Sequence, residues 1–122
     1  MPEADVKNAH FVCMLDELVP GTMLRYDLGD TPLVVCRSED TGEVFALDAR
    51  CPHQGALLCL GKLTGIQMGT NILVRRGEII QCPVHRWDFD VRTGYSMRVW
   101  PQHRTQTYPV RVDDGKIYVR RP

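Results

Sequence analysis

Two short segments constrain this chain more than any other feature: Cys51-Pro52-His53-Gln54-Gly55 and Cys82-Pro83-Val84-His85-Arg86-Trp87. Each couples a Cys-Pro pair to a histidine two or three residues after the cysteine. A single such pairing is an accident in most sequences. Here the whole chain holds four histidines, and two of them recur in the same setting. Thiolate and imidazole are ligands of soft and borderline metal ions, so the fold has to bring two Pro-containing loops together around a metal centre.

Zinc takes two cysteines and two histidines in tetrahedral structural sites, but zinc fingers group like ligands in pairs. In this chain each loop supplies one of each. That alternation suits a diiron centre with unlike irons, in which Cys51 and Cys82 bind one iron and His53 and His85 bind the other. A zinc-stabilised interaction module is the alternative.

The rest of the chain reads as short strands separated by turns. Leu33-Val34-Val35-Cys36 and Val44-Phe45-Ala46-Leu47 flank the turn-forming 38–42 segment and predict a hairpin. Glu78-Ile79-Ile80-Gln81 follows Gly77, and Thr107 to Val112 and Lys116 to Arg120 bracket Asp113-Asp114-Gly115, with Ile117 and Val119 expected on one face. Helical signal is confined to one turn at 15–18, before Pro20-Gly21. The expected fold class is all-β, an antiparallel sandwich or barrel. There is no internal repeat or linker, and 122 residues suit one domain over 1–122.

Composition narrows the function classes. With 43% hydrophobic and 25% charged residues the chain belongs to the ordinary globular range. It lacks any run of 18 apolar residues, and its first ten residues are polar and acidic, so a water-soluble, cytoplasmic protein is expected. Five cysteines are an odd number for a disulfide framework; Cys13, Cys36 and Cys59 are expected to be buried apolar thiols, and His10 and His103 surface residues. The net charge is zero, but residues 1–50 carry ten acids against four bases and residues 51–122 five against eleven. If Arg75, Arg76, Arg86 and Arg98 gather near the metal, they would form a basic docking face.

With the flanking segments added, nearly the whole chain resembles a Rieske ferredoxin. The resemblance runs through Leu15-Asp16-Glu17-Leu18-Val19-Pro20-Gly21-Thr22 and Gly42-Glu43-Val44-Phe45-Ala46-Leu47, then Cys51 to Leu58. It continues through Cys82-Pro83-Val84-His85-Arg86-Trp87-Asp88-Phe89-Asp90 into Thr93-Gly94, and through Tyr108 to Val112 and Asp114 to Val119. The resemblance implies one Rieske-type 2Fe-2S cluster per chain on Cys51, His53, Cys82 and His85. It implies a β-sandwich base carrying a small cluster-binding subdomain at about 49–101, with Trp100-Pro101 on a third loop near the cluster. An oxidised 2Fe-2S core with two thiolates is neutral, so reduction leaves one negative charge to stabilise. Two departures stand out: Ile66 to Arg76 is an apparent insertion, expected to add a loop or short hairpin beside the cluster, and Arg86 follows His85 where the family has glycine. Ala56 and Val84 occupy the positions of the disulfide found in high-potential members, so that staple cannot form here.

The implied function is one-electron transport, with a reductase and a terminal oxygenase or other oxidoreductase as partners, and neither nucleic acid nor membrane. A small subunit of a nitrite-reductase-like enzyme is a second possibility. A Rieske oxygenase would need a further iron held by two histidines and a carboxylate. Apart from the four ligands the chain has His10 and His103 to offer, and no second domain.

Overall fold

The computed structural model describes residues 9–52, 56–84, 87–97 and 103–122. Among the described residues ten strands make up nearly all of the regular structure, and no α-helix occurs. The strands are β1 (His10–Met14), β2 (Met23–Leu28), β3 (Thr31–Arg37), β4 (Val44–Asp48), β5 (Lys62–Gln67), β6 (Leu73–Gln81), β7 (Asp88–Asp90), β8 (Thr107–Tyr108), β9 (Val110–Asp113) and β10 (Lys116–Val119). Two 3-10 turns, Leu15–Glu17 and Leu58–Leu60, complete the regular structure, the first where the sequence predicts a helical turn.

The strands form three antiparallel sheets ordered β1-β10-β9, β2-β3-β4-β8 and β5-β6-β7. The period-two alternation of β3 explains how they stack. Leu33 and Val35 pack with Ile117 and Val119 in one core, whereas Val34 and Cys36 pack with Ile80, Phe89 and Trp87 in a second. Ala46 and Leu47 of β4 divide in the same way. The middle sheet is therefore apolar on both faces, with one three-stranded sheet on each side. That is why β3 reads as an unbroken apolar run.

Both predicted hairpins are present. Asp114 and Gly115 each adopt positive φ, as a tight hairpin between β9 and β10 requires, and Ile117 and Val119 are both fully buried. The expected single arm from Thr107 to Val112 is divided. Thr107–Tyr108 pairs with β4, Val110–Asp113 pairs with β10, and Pro109 lies between them. Proline has no N–H to continue a ladder, so the chain changes sheets there.

Residues 66–76 lengthen the β5–β6 hairpin, with its turn closed by the Met68 N–H donating to the Ile72 carbonyl at 2.7 Å. The expected placement beside the ligand loops is corrected. The hairpin meets Cys82 at its base, where Lys62 pairs with Gln81, and the added residues form its opposite end. The register jumps from Thr64–Ile79 to Ile66–Val74, leaving residues 75–78 as a wide bulge. Gly77 in this bulge has φ +79°, and a Cβ there would come within 2.7 Å of the Glu39 nitrogen, so only glycine lets the bulge sit on the β3–β4 turn.

Candidate metal centre

The first Cys-Pro loop leaves β4 and returns to the Leu58–Leu60 turn. Its ends are tied by the Cys51 N–H donating to the Ala56 carbonyl at 2.7 Å, with Arg50 and Leu57 bridged just outside. The second loop joins β6 to β7 and is tied by the Cys82 N–H donating to the Trp87 carbonyl at 2.8 Å, with Gln81 and Asp88 paired just outside. The two loops thus share one closure: a cysteine at the loop entrance, bonded to the carbonyl five residues later. Proline directly after each cysteine fixes φ and lends the loop stiffness.

The chain that leaves the first loop is pressed against the start of the second. The backbone of Gly61 lies against the second loop so closely that a Cβ at 61 would stand 1.9 Å from the Gln81 carbonyl oxygen and 3.2 Å from Pro83 Cδ. Both cysteines belong to one apolar core with Leu58, Trp87 and Phe89, and they are 3% and 2% exposed. The described residues contain no disulfide. Two buried thiols at the mouths of twinned, proline-stiffened loops are a donor set suited to a thiolate-ligated metal. One oxygen of Asp88, next to the second loop, is buried without a hydrogen-bond partner. The predicted ligands His53 and His85 lie outside the described residues, as do Arg86, Arg98, Trp100 and Pro101. No group of three or more metal-binding side chains assembles among the described residues themselves.

A model of the Rieske [2Fe-2S] domain matches residues 8–109. The chain belongs to the Rieske [2Fe-2S] domain family. It is 33% identical over 109 residues to the ferredoxin subunit of a 3-phenylpropionate/cinnamic acid dioxygenase from Photorhabdus laumondii, covering 89% of this chain and 90% of that one. Among solved structures, the ferredoxin of carbazole 1,9a-dioxygenase from Nocardioides aromaticivorans superposes with a TM-score of 0.76 at 28% identity, over 94% of this chain and 99% of that one. A protein described as an NADH-dependent nitrite reductase small subunit from Mycobacterium tuberculosis superposes with a TM-score of 0.75 at 25% identity, over 93% and 95%. The cofactor of this Rieske chain is a 2Fe-2S cluster, one per chain.

Several residues around the Rieske core take places that the sequence did not reveal. Trp87 is a core residue, and the ring of His103 packs against it, tilted by 47° with 4.9 Å between centroids. His103 is thus half-buried beside the second loop, which corrects its expected surface role. Cys36 is a buried thiol as expected, with burial and the nearby Glu78 carboxylate pushing its pKa up to about 12. It is inert as a nucleophile. Cys13 and Cys59 are half-buried rather than buried.

The expected basic docking face loses two members. Arg75 pairs with Glu78 at 3.0 Å and Asp90 at 2.6 Å, and Arg76 pairs with Glu39 at 2.9 Å and Asp40 at 2.8 Å. The hub is Glu78, which also receives hydrogen bonds from Arg92 at 2.8 Å and Ser38 at 2.7 Å. Sequence patterning cannot reveal such a hub, because its members come from three separate parts of the chain: the β6 bulge, the turn after β7 and the β3–β4 turn. The Arg92 hydrogen bond is the largest influence on Glu78 and, with those from Ser38 and Arg75, outweighs its desolvation to hold its pKa down at about 2.

Proposed function

We propose that this chain is the ferredoxin component of an oxygenase system, carrying one electron at a time from a reductase to a terminal oxygenase. The observation that carries this reading is the pair of identically closed Cys-Pro loops on two buried thiols, in a chain that shares nine-tenths of its length with a dioxygenase ferredoxin subunit. We assign Cys51 and Cys82 as thiolate ligands of one iron and His53 and His85 as imidazole ligands of the other. When bound, the 2Fe-2S cluster supplies one-electron redox chemistry.

The protein's own part is to hold that charge change in a rigid, largely dry place. Cys51 and Cys82 are fixed at their backbones by the loop-closing hydrogen bonds, Gly61 lets the chain after the first loop lie directly against Gln81 and Pro83, and Trp87 and Leu58 exclude water from the thiols. No bond to a substrate carbon is made or broken, and nothing in the assigned set acts as acid, base or nucleophile. The role is that of an electron carrier within an oxidoreductase system rather than of a catalyst. The whole of 1–122 acts as one domain, its cluster-binding part spanning about 49–101. We place it in the cytoplasm; no helix among the described residues is long and apolar enough to cross a membrane.

A second reading, the small subunit of a nitrite-reductase-like enzyme, is favoured by the fit to such a subunit at a TM-score of 0.75. One preparation decides between carrier, ligandless subunit and zinc module. Protein purified without oxygen is assayed for iron, acid-labile sulfide and zinc, then reduced with dithionite for electron paramagnetic resonance. Two irons and two sulfides per chain with a Rieske-type signal support the carrier. A colourless protein with zinc or without metal refutes it.

A further inference from the structure

The β5–β6 hairpin ends in a two-stranded ribbon that β7 does not reach, since β7 pairs with β6 along Ile79–Gln81 alone. Residues 63–74 hold no charged side chain, although 25% of the whole chain is charged. Ile66 pairs with Val74 and Gln67 with Leu73, so Ile66, Val74 and, one step nearer the turn, Met68 and Ile72 project from one face, and Gln67 and Leu73 from the other. Met68 and Ile72 are 54% and 55% exposed, Leu73 41% and Val74 38%. The edge of the ribbon is open as well. The Met68 N–H donates to the Ile72 carbonyl, so the backbone of Ile72 is turned toward β5 and that of Leu73, by the alternation of an antiparallel ladder, toward the other side. The N–H and C=O of Leu73 therefore face outward with no strand of the described residues beside them, and neither lysine nor proline guards this edge.

We propose that this edge pairs with the same edge of a second copy of the chain, β6 against β6 in antiparallel register about a twofold axis at Leu73. The symmetry sets Leu73 opposite Leu73 of the second copy and Ile72 opposite its Val74. The two Leu73 residues exchange both N–H to C=O bonds, and every cross-strand pair is apolar. A twofold contact brings each residue on its axis against itself, where a charge would repel its copy, so a stretch without charges suits that geometry. An anionic lipid surface would call for cations instead, and Arg75 and Arg76, at the end of the stretch, are already bound to carboxylates. The area sets the strength. Four side chains about half exposed leave on the order of 300 Å2 of apolar surface per copy, so the contact falls in the weak class below about 1,200 Å2. The bulge at 75–78 limits the pairing to residues 72–74. Because Cys82 lies at the other end of each hairpin, the pair leaves both metal centres uncovered.

Sedimentation velocity of the whole holo-protein, run from low micromolar to near-millimolar concentration, reads the association directly. The parent is expected to shift from monomer toward dimer across that range. L73K and L73E are expected to stay monomeric throughout, because each sets two like charges on the axis. Mixed one to one, the two variants are expected to associate again, at least roughly tenfold more tightly than either alone, since the contact at the axis changes from repulsion to attraction. Damage to the ribbon would give no such recovery. Leu73 is 41% exposed, and unchanged circular dichroism shows that the variants fold. The control is V112K, at a 45% exposed position on another sheet, and it is expected to dimerise as the parent does. A parent that stays monomeric at every concentration overturns the proposal, as does dimerisation that L73K and L73E leave intact, or a mixture no tighter than either variant alone. Vesicles of phosphatidylcholine and phosphatidylserine form a second arm: a monomeric parent that co-sediments with them, and loses that binding in L73E, overturns the proposal in favour of a lipid surface. The electron-carrier reading stands or falls separately, on the iron and sulfide analysis.

Discussion

Replacing Glu78 by glutamine removes one charge from the molecule and nearly no volume, yet it strikes the join between the β5-β6-β7 sheet and the middle sheet. The side chain of Glu78 is 3% exposed, and it accepts from Arg75 at 3.0 Å, Arg92 at 2.8 Å and Ser38 at 2.7 Å. Those three donors come from the β6 bulge, the turn after β7 and the β3–β4 turn. The hydrogen bond from Arg92, with those from Ser38 and Arg75, lowers the carboxyl from 4.5 to about 2 in the folded state. A shift of this size corresponds to about 3 kcal/mol of stability at neutral pH, near the low end of the roughly 3–5 kcal/mol lost when one partner of a buried ion pair is removed. Partial exposure of Arg75 and Arg92, at 31% and 37%, argues for the lower figure.

Because the folded-state pKa is depressed, this stabilisation is fully present above the unfolded value near 4.5 and is lost as pH falls toward 2. E78Q should therefore unfold in urea with about 3 kcal/mol less stability at pH 7, or melt roughly 10–15 °C lower. The gap should narrow between pH 4.5 and pH 2. Far-UV circular dichroism of parent and variant at pH 7, 4 and 3 measures it. A variant within 1 kcal/mol of the parent at pH 7, or a gap that stays constant down to pH 3, would refute the reasoning.

Further outcomes follow from the site itself. Alanine at Cys51 or Cys82 should abolish the visible absorbance of the cluster and expose the core that the two thiols share with Trp87 and Phe89, and a variant that keeps the full spectrum would disprove that residue's assignment. G61A should lower cluster occupancy on iron and sulfide analysis, since its Cβ would stand 1.9 Å from the Gln81 carbonyl and push the entrance of the second loop away; full occupancy with unchanged melting would show that the site needs no such approach. The reduction potential should lie toward the low end of the Rieske range, roughly −150 mV rather than about +300 mV. The resemblance to the Rieske family implies that Trp87 and Phe89 take the positions of hydroxyl donors in high-potential members, and both are buried without a hydroxyl to offer. Voltammetry giving a midpoint well above zero would overturn that argument.

How much of this could be read from the chain depends on how local each determinant is. The Cys-Pro loops, the Asp114-Gly115 turn and the two-residue alternation of Ile117 and Val119 are written in consecutive residues, because ligand spacing, turn chemistry and strand pleat act over a few positions. The sequence by itself therefore determined the ligand set to propose, the all-β class and the family resemblance. It did not reveal β1 or β2, whose strands are half-exposed and carry mixed side chains. Nor could it tell that β3 faces two different cores. What only the tertiary structure decided are relations between distant residues: the break at Pro109 that sends one expected arm into two sheets, His103 resting on Trp87, and Gly61 seated on the second loop. The same holds for Arg75 and Arg76, which count as free cations in a sum over the sequence. They become bound ones once folding brings Asp40, Glu78 and Asp90 to them, because an ion pair depends on distances of a few ångströms in space and not on separation along the chain.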